Sequence, residues 1–204
     1  MVVTKIEPAN KTRYKVYLDG QFAFALYKGE LSRYKIREEQ ELDESLFQKI
    51  KNEIVVKRAK LRAMHLLNDM DRTESELRMK LKQGLCTEDV IDIAMDYVKS
   101  FGYIDDYRYA IHFIDIKRQS KSKKEIYAAL VQKGVSAELI ETAMEESYGP
   151  EGEREAIRRL LTKKRYDIAN ADQTQMQKIY AFLARKGFRY EDIRQVVQYY
   201  NENT

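Results

Sequence analysis

Three short stretches decide how this chain is organised: Leu81-Lys82-Gln83-Gly84-Leu85, Leu130-Val131-Gln132-Lys133-Gly134-Val135 and Leu183-Ala184-Arg185-Lys186-Gly187-Phe188. A similar run follows each. Glu88, Val90, Ala94 and Tyr97 follow the first, Glu138, Ile140, Met144 and Ser147 the second, and Glu191, Ile193, Val197 and Tyr200 the third. Aligned on Gly84, Gly134 and Gly187, the residues that follow match in type without gaps. The first copy is one residue shorter between its Leu and its Gly. A period of about 50 residues belongs to repeated supersecondary units. Each glycine stands where a helix should stop in a left-handed turn, which Gly adopts without a Cβ clash.

Working outward, each copy reads as three helices. Thr73-Glu74-Ser75-Glu76 precedes Leu77 and Leu81, and Ser122-Lys123-Lys124-Glu125 precedes Ile126 and Leu130. Both are S/T-x-x-E capping boxes, in which the hydroxyl takes one orphan N–H and the Glu reaches back to another. The third copy has Ile179 and Leu183 at the matching places, but Lys178 stands at the Glu position and its capping signal is poor. The third helix of the first copy carries an apolar stripe of Val90, Ala94, Val98 and Phe101. First helices align too: Tyr109-Ala110-Ile111 through Lys117-Arg118 matches Glu155-Ala156-Ile157 through Lys163-Lys164. Tyr148-Gly149-Pro150-Glu151-Gly152 is the best hinge candidate. Each unit is small for an independent core, so the units are expected to stack into an elongated, curved body.

The N-terminal segment has a different period. Arg13 to Leu18 alternates as a strand does, Asp19-Gly20 follows, and Gln21 to Leu26 is apolar and aromatic. Asp-Gly between such runs signals a hairpin, because the turn needs positive φ at both central residues. Val2 to Ile6, stopped before Pro8, can add an edge strand, while Gly29 and the polar run Arg37 to Glu41 mark the exit. So small a sheet needs a partner, and the first long helix is the natural one. That helix runs from an Asp43 N-cap to Asn68 through Leu46, Phe47, Ile50, Ile54, Arg58, Leu61, Met64 and Leu67. It is long for a globular helix and is expected to bend or break near Lys57. The resulting architecture is mainly α: three tandem three-helix repeat units with a small N-terminal β-hairpin or sheet appendage. Its segments are 1–42, 43–104, 105–149 and 150–204.

Composition narrows the class. The 204 residues hold 37 Lys and Arg against 33 Asp and Glu, a net charge of +4 that permits an acidic partner without requiring one. Gly and Pro are scarce, the single Cys86 cannot form an internal disulfide, and no apolar run approaches a membrane span. These features exclude collagen, a disulfide-stapled secreted domain and a membrane protein. They leave a soluble cytoplasmic protein.

Gly102-Tyr103-Ile104-Asp105-Asp106-Tyr107-Arg108-Tyr109-Ala110 resembles the RecX family. The flanking Arg72-Thr73-Glu74-Ser75-Glu76-Leu77, Lys121-Ser122-Lys123-Lys124-Glu125-Ile126 and Lys133-Gly134-Val135-Ser136 extend the resemblance in order. It covers the first two units strongly and the third loosely, and the hairpin is similar to the extension of longer members. The resemblance implies a non-catalytic monomer, without cofactor. It would bind the RecA recombinase in its filament on single-stranded DNA and modulate, most often inhibit, its ATPase and strand exchange. Recombination, DNA repair and the SOS response would follow from that control.

The residues themselves offer several candidate sites. Lys117, Arg118, Lys121, Lys123 and Lys124 form the densest basic run, and Arg158, Arg159, Lys163, Lys164 and Arg165 form a second in the equivalent place. A repeated basic edge could neutralise phosphates or meet an acidic protein groove. Cations near helix C-termini are favoured by the dipole, which explains Lys117 and Lys163 but not Lys123 and Lys124 in a first turn. Lys57, Arg58, Lys60 and Arg62 read as a solvated helix face. Asp105-Asp106 reads as a helix opening rather than an acid–base or metal pair. Tyr103, Tyr107 and Tyr109 read as core packing before a base-stacking platform. His65, His112 and Cys86 give no zinc spacing, no phosphate-binding glycine loop is present, and Cys86 reads as incidental. The alternative function is a stand-alone nucleic-acid-binding repeat protein, contacting single- or double-stranded DNA directly. A third is a helical adaptor for another protein.

Overall fold

A computed structural model describes residues 1–149, 151–168 and 170–202. Pro150, within the candidate hinge, lies outside them. The chain divides into two compact units, Met1–Asp105 and Asp106–Thr204.

The first unit opens with an antiparallel sheet in the order β1-β2-β3: β1 Val3–Pro8, β2 Arg13–Leu18 and β3 Gln21–Tyr27. Asp19 and Gly20 have φ of 47° and 81°, the positive pair that a two-residue hairpin turn demands. The pairing of Val16 with Phe24 and of Leu18 with Gln21 brackets a bulge between Val16 and Tyr17. Val16, Leu18, Phe24 and Leu26 are buried on one face. A short helix, α1 (Lys28–Arg33), follows where Gly29 is expected to mark an exit. Its opening is fixed by the Tyr27 N–H, which donates to the Glu30 carboxylate at 2.7 Å.

α2 (Glu44–Ile50) is capped by Asp43, whose carboxylate accepts from the Leu46 N–H at 2.7 Å. The helix does not break. It passes through a π-helical segment, Lys51–Val56, into α3 (Lys57–Asp69). The wider π winding shifts the inward face, so that Val55 and Val56 are both buried. Phe47 stacks on Phe24 at 5.9 Å, which joins this helix to the sheet. α4 (Glu74–Gln83) and α5 (Glu88–Ser100) complete the first repeat. Leu77, Leu81, Ile91 and Met95 share one core with Phe24, Leu26 and Ile50. The sheet therefore borrows its core from the first repeat, each large buried side chain contributing about 1.5–3 kcal/mol.

The second unit holds two further three-helix repeats: α6 (Asp106–Lys117), α7 (Lys123–Gln132) and α8 (Ala137–Ser147), then α9 (Gly152–Lys164), α10 (Gln173–Arg185) and α11 (Tyr190–Glu202). Each has its own core, Ile114, Ile126, Leu130 and Ile140 in one and Ile157, Leu161, Leu183 and Ile193 in the other.

The turn after each second helix corrects the glycine alignment. Gly134 and Gly187 have φ of 80° and 86°, but Gly84 has φ of −75° and the left-handed residue is Leu85, at 66°. Cys86, Val135 and Phe188 donate to the carbonyls of Leu81, Leu130 and Leu183, so the three turns superimpose with Leu85 in the glycine position. No residue is missing from the first copy; its glycine stands one place earlier. A Cβ on Gly84 would come 2.9 Å from both Arg62 Nε and the Leu81 carbonyl oxygen. Lys133 and Lys186 hold the matching place with the same backbone, so the approach of the Arg62 side chain is the contact peculiar to Gly84.

Capping departs from expectation in two places. Thr73 and Glu76 form the full reciprocal box. Ser122 accepts from the Glu125 N–H, but the Glu125 carboxylate faces Lys186 Nζ, 3.8 Å away. The weak signal in the third repeat has a simple cause: α10 begins a turn earlier, on an Asp172/Gln175 box that the alignment on Lys178 overlooks.

Candidate functional site

The two basic runs lie in the second unit. Lys117 ends α6, its ammonium 5.8 Å from the Phe113 ring centre. Arg118 is committed: it donates to the Ser147 carbonyl, which ends α8, and pairs with Asp115 at 3.3 Å. In the second run Arg159 pairs with Glu155 at 3.3 Å. Arg158 pairs with Glu151 at 3.7 Å and lies 5.4 Å from the Tyr199 ring centre. Lys121, Lys163, Lys164 and Arg165 have no ion-pair partner among the described residues, and the last three are exposed. Lys163 and Lys164 close α9, where cations complement the dipole, and Arg165 is its left-handed cap.

Lys123 and Lys124 are positioned differently. They open α7, and the cost of cations there has a local answer. The Lys123 N–H donates to Glu153 Oε1 of α9 at 2.8 Å, which places a carboxylate at the positive helix end. The Lys123 ammonium lies 4.6 Å from the Tyr148 ring centre. Beside them, Ser122 Oγ donates to the Lys186 carbonyl at 2.6 Å, beyond the end of α10. This segment joins the second repeat to the third, and the Lys123 ammonium has an internal neighbour in Tyr148. A cleft of about 610 Å³ opens next to it. Its lining sets Lys123, Lys124 and Arg189 against Glu141, Glu145 and Glu153, so it favours neither sign of ligand.

Other candidates resolve into structural roles. Arg58 donates to Glu30 and, at 3.1 Å, to the Ala25 carbonyl, with its guanidinium 4.7 Å from the Tyr27 ring centre. Lys60 Nζ is 4.7 Å from the centre of the Tyr97 ring. That run is therefore not a merely solvated face: Arg58 ties the sheet to α3. Asp106 lies in the first turn of α6, and Tyr107 donates its hydroxyl to Glu146. Tyr109 stacks on Phe113 at 6.2 Å against the core, whereas Tyr103 is exposed and stacks at 5.7 Å on Phe101. Phe101 lies beyond the end of α5 and is 56% exposed, which removes it from the apolar stripe.

His65 and His112 are exposed. No group of three His, Cys, Asp or Glu among the described residues is placed to hold a metal. Burial pushes the Cys86 thiol up from its ordinary pKa, against the pull of Arg62, Arg13 and Arg58, so the helix start does not activate it. No described helix is long and apolar enough to cross a membrane.

Comparison with known proteins covers the whole arrangement. Residues 1–43 match the regulatory protein RecX N-terminal domain. Residues 59–97, 105–144 and 151–197 match the first, second and third RecX three-helix domains. The regulatory protein RecX of Caldanaerobacter subterraneus subsp. tengcongensis is 32% identical over 199 residues, covering 97% of this chain and 98% of that protein. That of Clostridium acetobutylicum is 26% identical over 208 residues, 98% and 97% of the two chains. A crystal structure of regulatory protein RecX aligns with a TM-score of 0.64 at 28% identity, over 96% of this chain and 98% of that one. The RecX structure from Lactobacillus salivarius shares the fold, with a TM-score of 0.61 at 23% identity over 72% and 96%.

Proposed function

The chain belongs to the RecX family, and on that premise we propose that it regulates the RecA recombinase by binding the filament RecA forms on single-stranded DNA. The observation that carries the reading is the full set of family domains in order along one chain, with a relative that is itself a regulatory protein. The reading assigns no catalysis and no cofactor to this chain; ATP hydrolysis belongs to RecA. Lys121, Lys163, Lys164 and Arg165, without an ion-pair partner among the described residues, are the contact candidates, and Arg118, Arg158 and Arg159 are discounted because they already have acidic partners. Binding changes filament behaviour only through a difference in affinity between filament states. By holding neighbouring protomers in one relation, the chain disfavours subunit addition or the movement that accompanies ATP turnover. Its site of action on this reading is the cytoplasm, and it acts as a monomer.

Co-sedimentation tests this. RecA filaments assembled on single-stranded DNA with a slowly hydrolysed ATP analogue should carry the chain into the pellet, and RecA without DNA should not. Lys163→Glu with Lys164→Glu should weaken pelleting severalfold. Pelleting that depends on DNA but not on RecA would favour the alternative, a stand-alone nucleic-acid binder.

A further inference from the structure

Arginines from two elements meet in the first unit. Arg58 and Arg62, one turn apart, share a face of α3, and Arg13 reaches the same place from the start of β2. Together they line a cavity of about 100 Å³, beside the turn that holds Gly84, Leu85 and Cys86. No acidic residue among those described lines it. It differs in this from the cleft beside Lys123, whose charges cancel.

Gly84 brings two of the guanidinium groups together. Its carbonyl accepts from Arg13 Nη2 at 2.9 Å, and the place its Cβ would occupy lies 2.9 Å from Arg62 Nε. Lys133 and Lys186 stand at the matching place in the other repeats, so the glycine serves the approach of Arg62 and not the turn. Arg58 is held by the Ala25 carbonyl at 3.1 Å and by Glu30. All three cations act on one neighbour: burial raises the pKa of the Cys86 thiol, and Arg62, Arg13 and Arg58 pull against it, in that order.

Donors and charge remain to spare. Arg13 Nε is buried and has no hydrogen-bond partner among the described residues, a costly state for a charged donor. Arg62 is exposed and has no ion-pair partner among the described residues. Glu30, on Arg58, offsets one of the three charges and leaves two. A phosphate group carries about −1.5 to −2 at neutral pH, which matches that remainder, whereas a carboxylate would leave a cation over. Guanidinium forks also fit phosphate oxygens. The volume is that of about three water molecules, room for one phosphate group and not for a nucleotide.

We propose that this cavity binds one phosphate dianion, free rather than carried on a larger molecule, with Arg13 and Arg62 donating to its oxygens and Arg58 supplying a third charge. The site needs neither RecA nor nucleic acid, so it does not rest on the filament reading.

Titration calorimetry of the full chain with inorganic phosphate, at constant ionic strength, tests it. Saturable binding at or below about 1 mM is expected, the strength of roughly two charge-assisted hydrogen bonds. Arg62→Gln should weaken it roughly 10- to 100-fold with the melting temperature kept, since Arg62 holds no ion pair in the fold. Gly84→Ala changes no charge and should weaken it severalfold by displacing Arg62. Lys163→Glu with Lys164→Glu, in the second unit, should leave it unchanged. Phosphate should also slow alkylation of Cys86, the single thiol, severalfold in the wild type and not in Arg62→Gln. No saturation by about 10 mM, or wild-type affinity in Arg62→Gln, would overturn the site. Equal loss from the Lys163 and Lys164 changes would reduce it to general charge and overturn it as well. Acetate competing as effectively as phosphate would overturn the dianion as occupant. Phenyl phosphate, equal in charge but larger, should bind more weakly; equal binding would overturn free phosphate in favour of the phosphate end of a larger molecule.

Discussion

Replacing Gly187 by alanine tests the joint between the second and third repeats, and the structure sets the size of the effect. Gly187 has φ of 86°, where an L side chain costs about 1–2 kcal/mol. A Cβ there would also fall 2.8 Å from Ser122 Oγ and 3.4 Å from Lys124 Cβ. Ser122 Oγ is not free to retreat. It is buried, donates to the Lys186 carbonyl at 2.6 Å and accepts from the Glu125 N–H at 3.2 Å. Displacing it forfeits one or both bonds, at about 1 kcal/mol each. Gly187→Ala should therefore destabilise this unit by about 2–4 kcal/mol. Ser122→Ala alone should cost about 1–2 kcal/mol, as a lost N-cap does. In the Ser122→Ala background the hydroxyl is gone and only the backbone strain of about 1–2 kcal/mol remains for Gly187→Ala. The two changes should thus be less than additive by about 1–2 kcal/mol, well outside the few tenths expected of independent sites. Hydrogen exchange on the full chain reads this locally, in peptides covering α7 and the end of α10, and does not require one global unfolding transition. Strict additivity would refute the joint as described.

Other consequences are more local. Arg58→Ala should destabilise the first unit by about 2–3 kcal/mol, because Glu30 is left with only the Tyr27 N–H and the Ala25 carbonyl loses the guanidinium; urea unfolding of the variant checks this. Gly84→Ala should cost no more than about 0.5 kcal/mol in the same assay, since Lys133 and Lys186 carry a Cβ at the matching place and only the Arg62 side chain must move. The Glu7 carboxyl is held down to about 2, first by Lys5 and then by the Tyr17 hydroxyl. Its folded value lies below its unfolded one, so its contribution is present above the unfolded pKa and lost as pH falls through the folded value. Melting temperatures of wild type and Glu7→Gln should differ near neutral pH and converge as pH falls from about 4 toward about 2. A constant difference across that range would contradict the assignment.

Much of this was legible in the residues. Asp19-Gly20 dictates its hairpin because both positions need positive φ, and Asp43 and Thr73 cap their helices from short-range chemistry alone. The repeats show through their buried leucines, Leu81, Leu130 and Leu183. What sequence reasoning misplaced depends on contacts far along the chain. Gly84 looks like a helix stop, but Arg62 sets its identity and Leu85 takes the left-handed turn. Lys123 and Lys124 look like cations in the wrong place until Glu153, 30 residues away, is seen at the helix start. Which members of the basic runs have an ion-pair partner among the described residues shows only when Asp115, Glu151 and Glu155 are positioned.

The central claim is control of a recombinase filament. ATP hydrolysis by RecA from the same organism on saturating single-stranded DNA, with this chain titrated in, tests it most directly. Inhibition well below one chain per RecA is the predicted result, since a filament regulator acts on many protomers from few sites. Hydrolysis unchanged at micromolar chain would contradict the account.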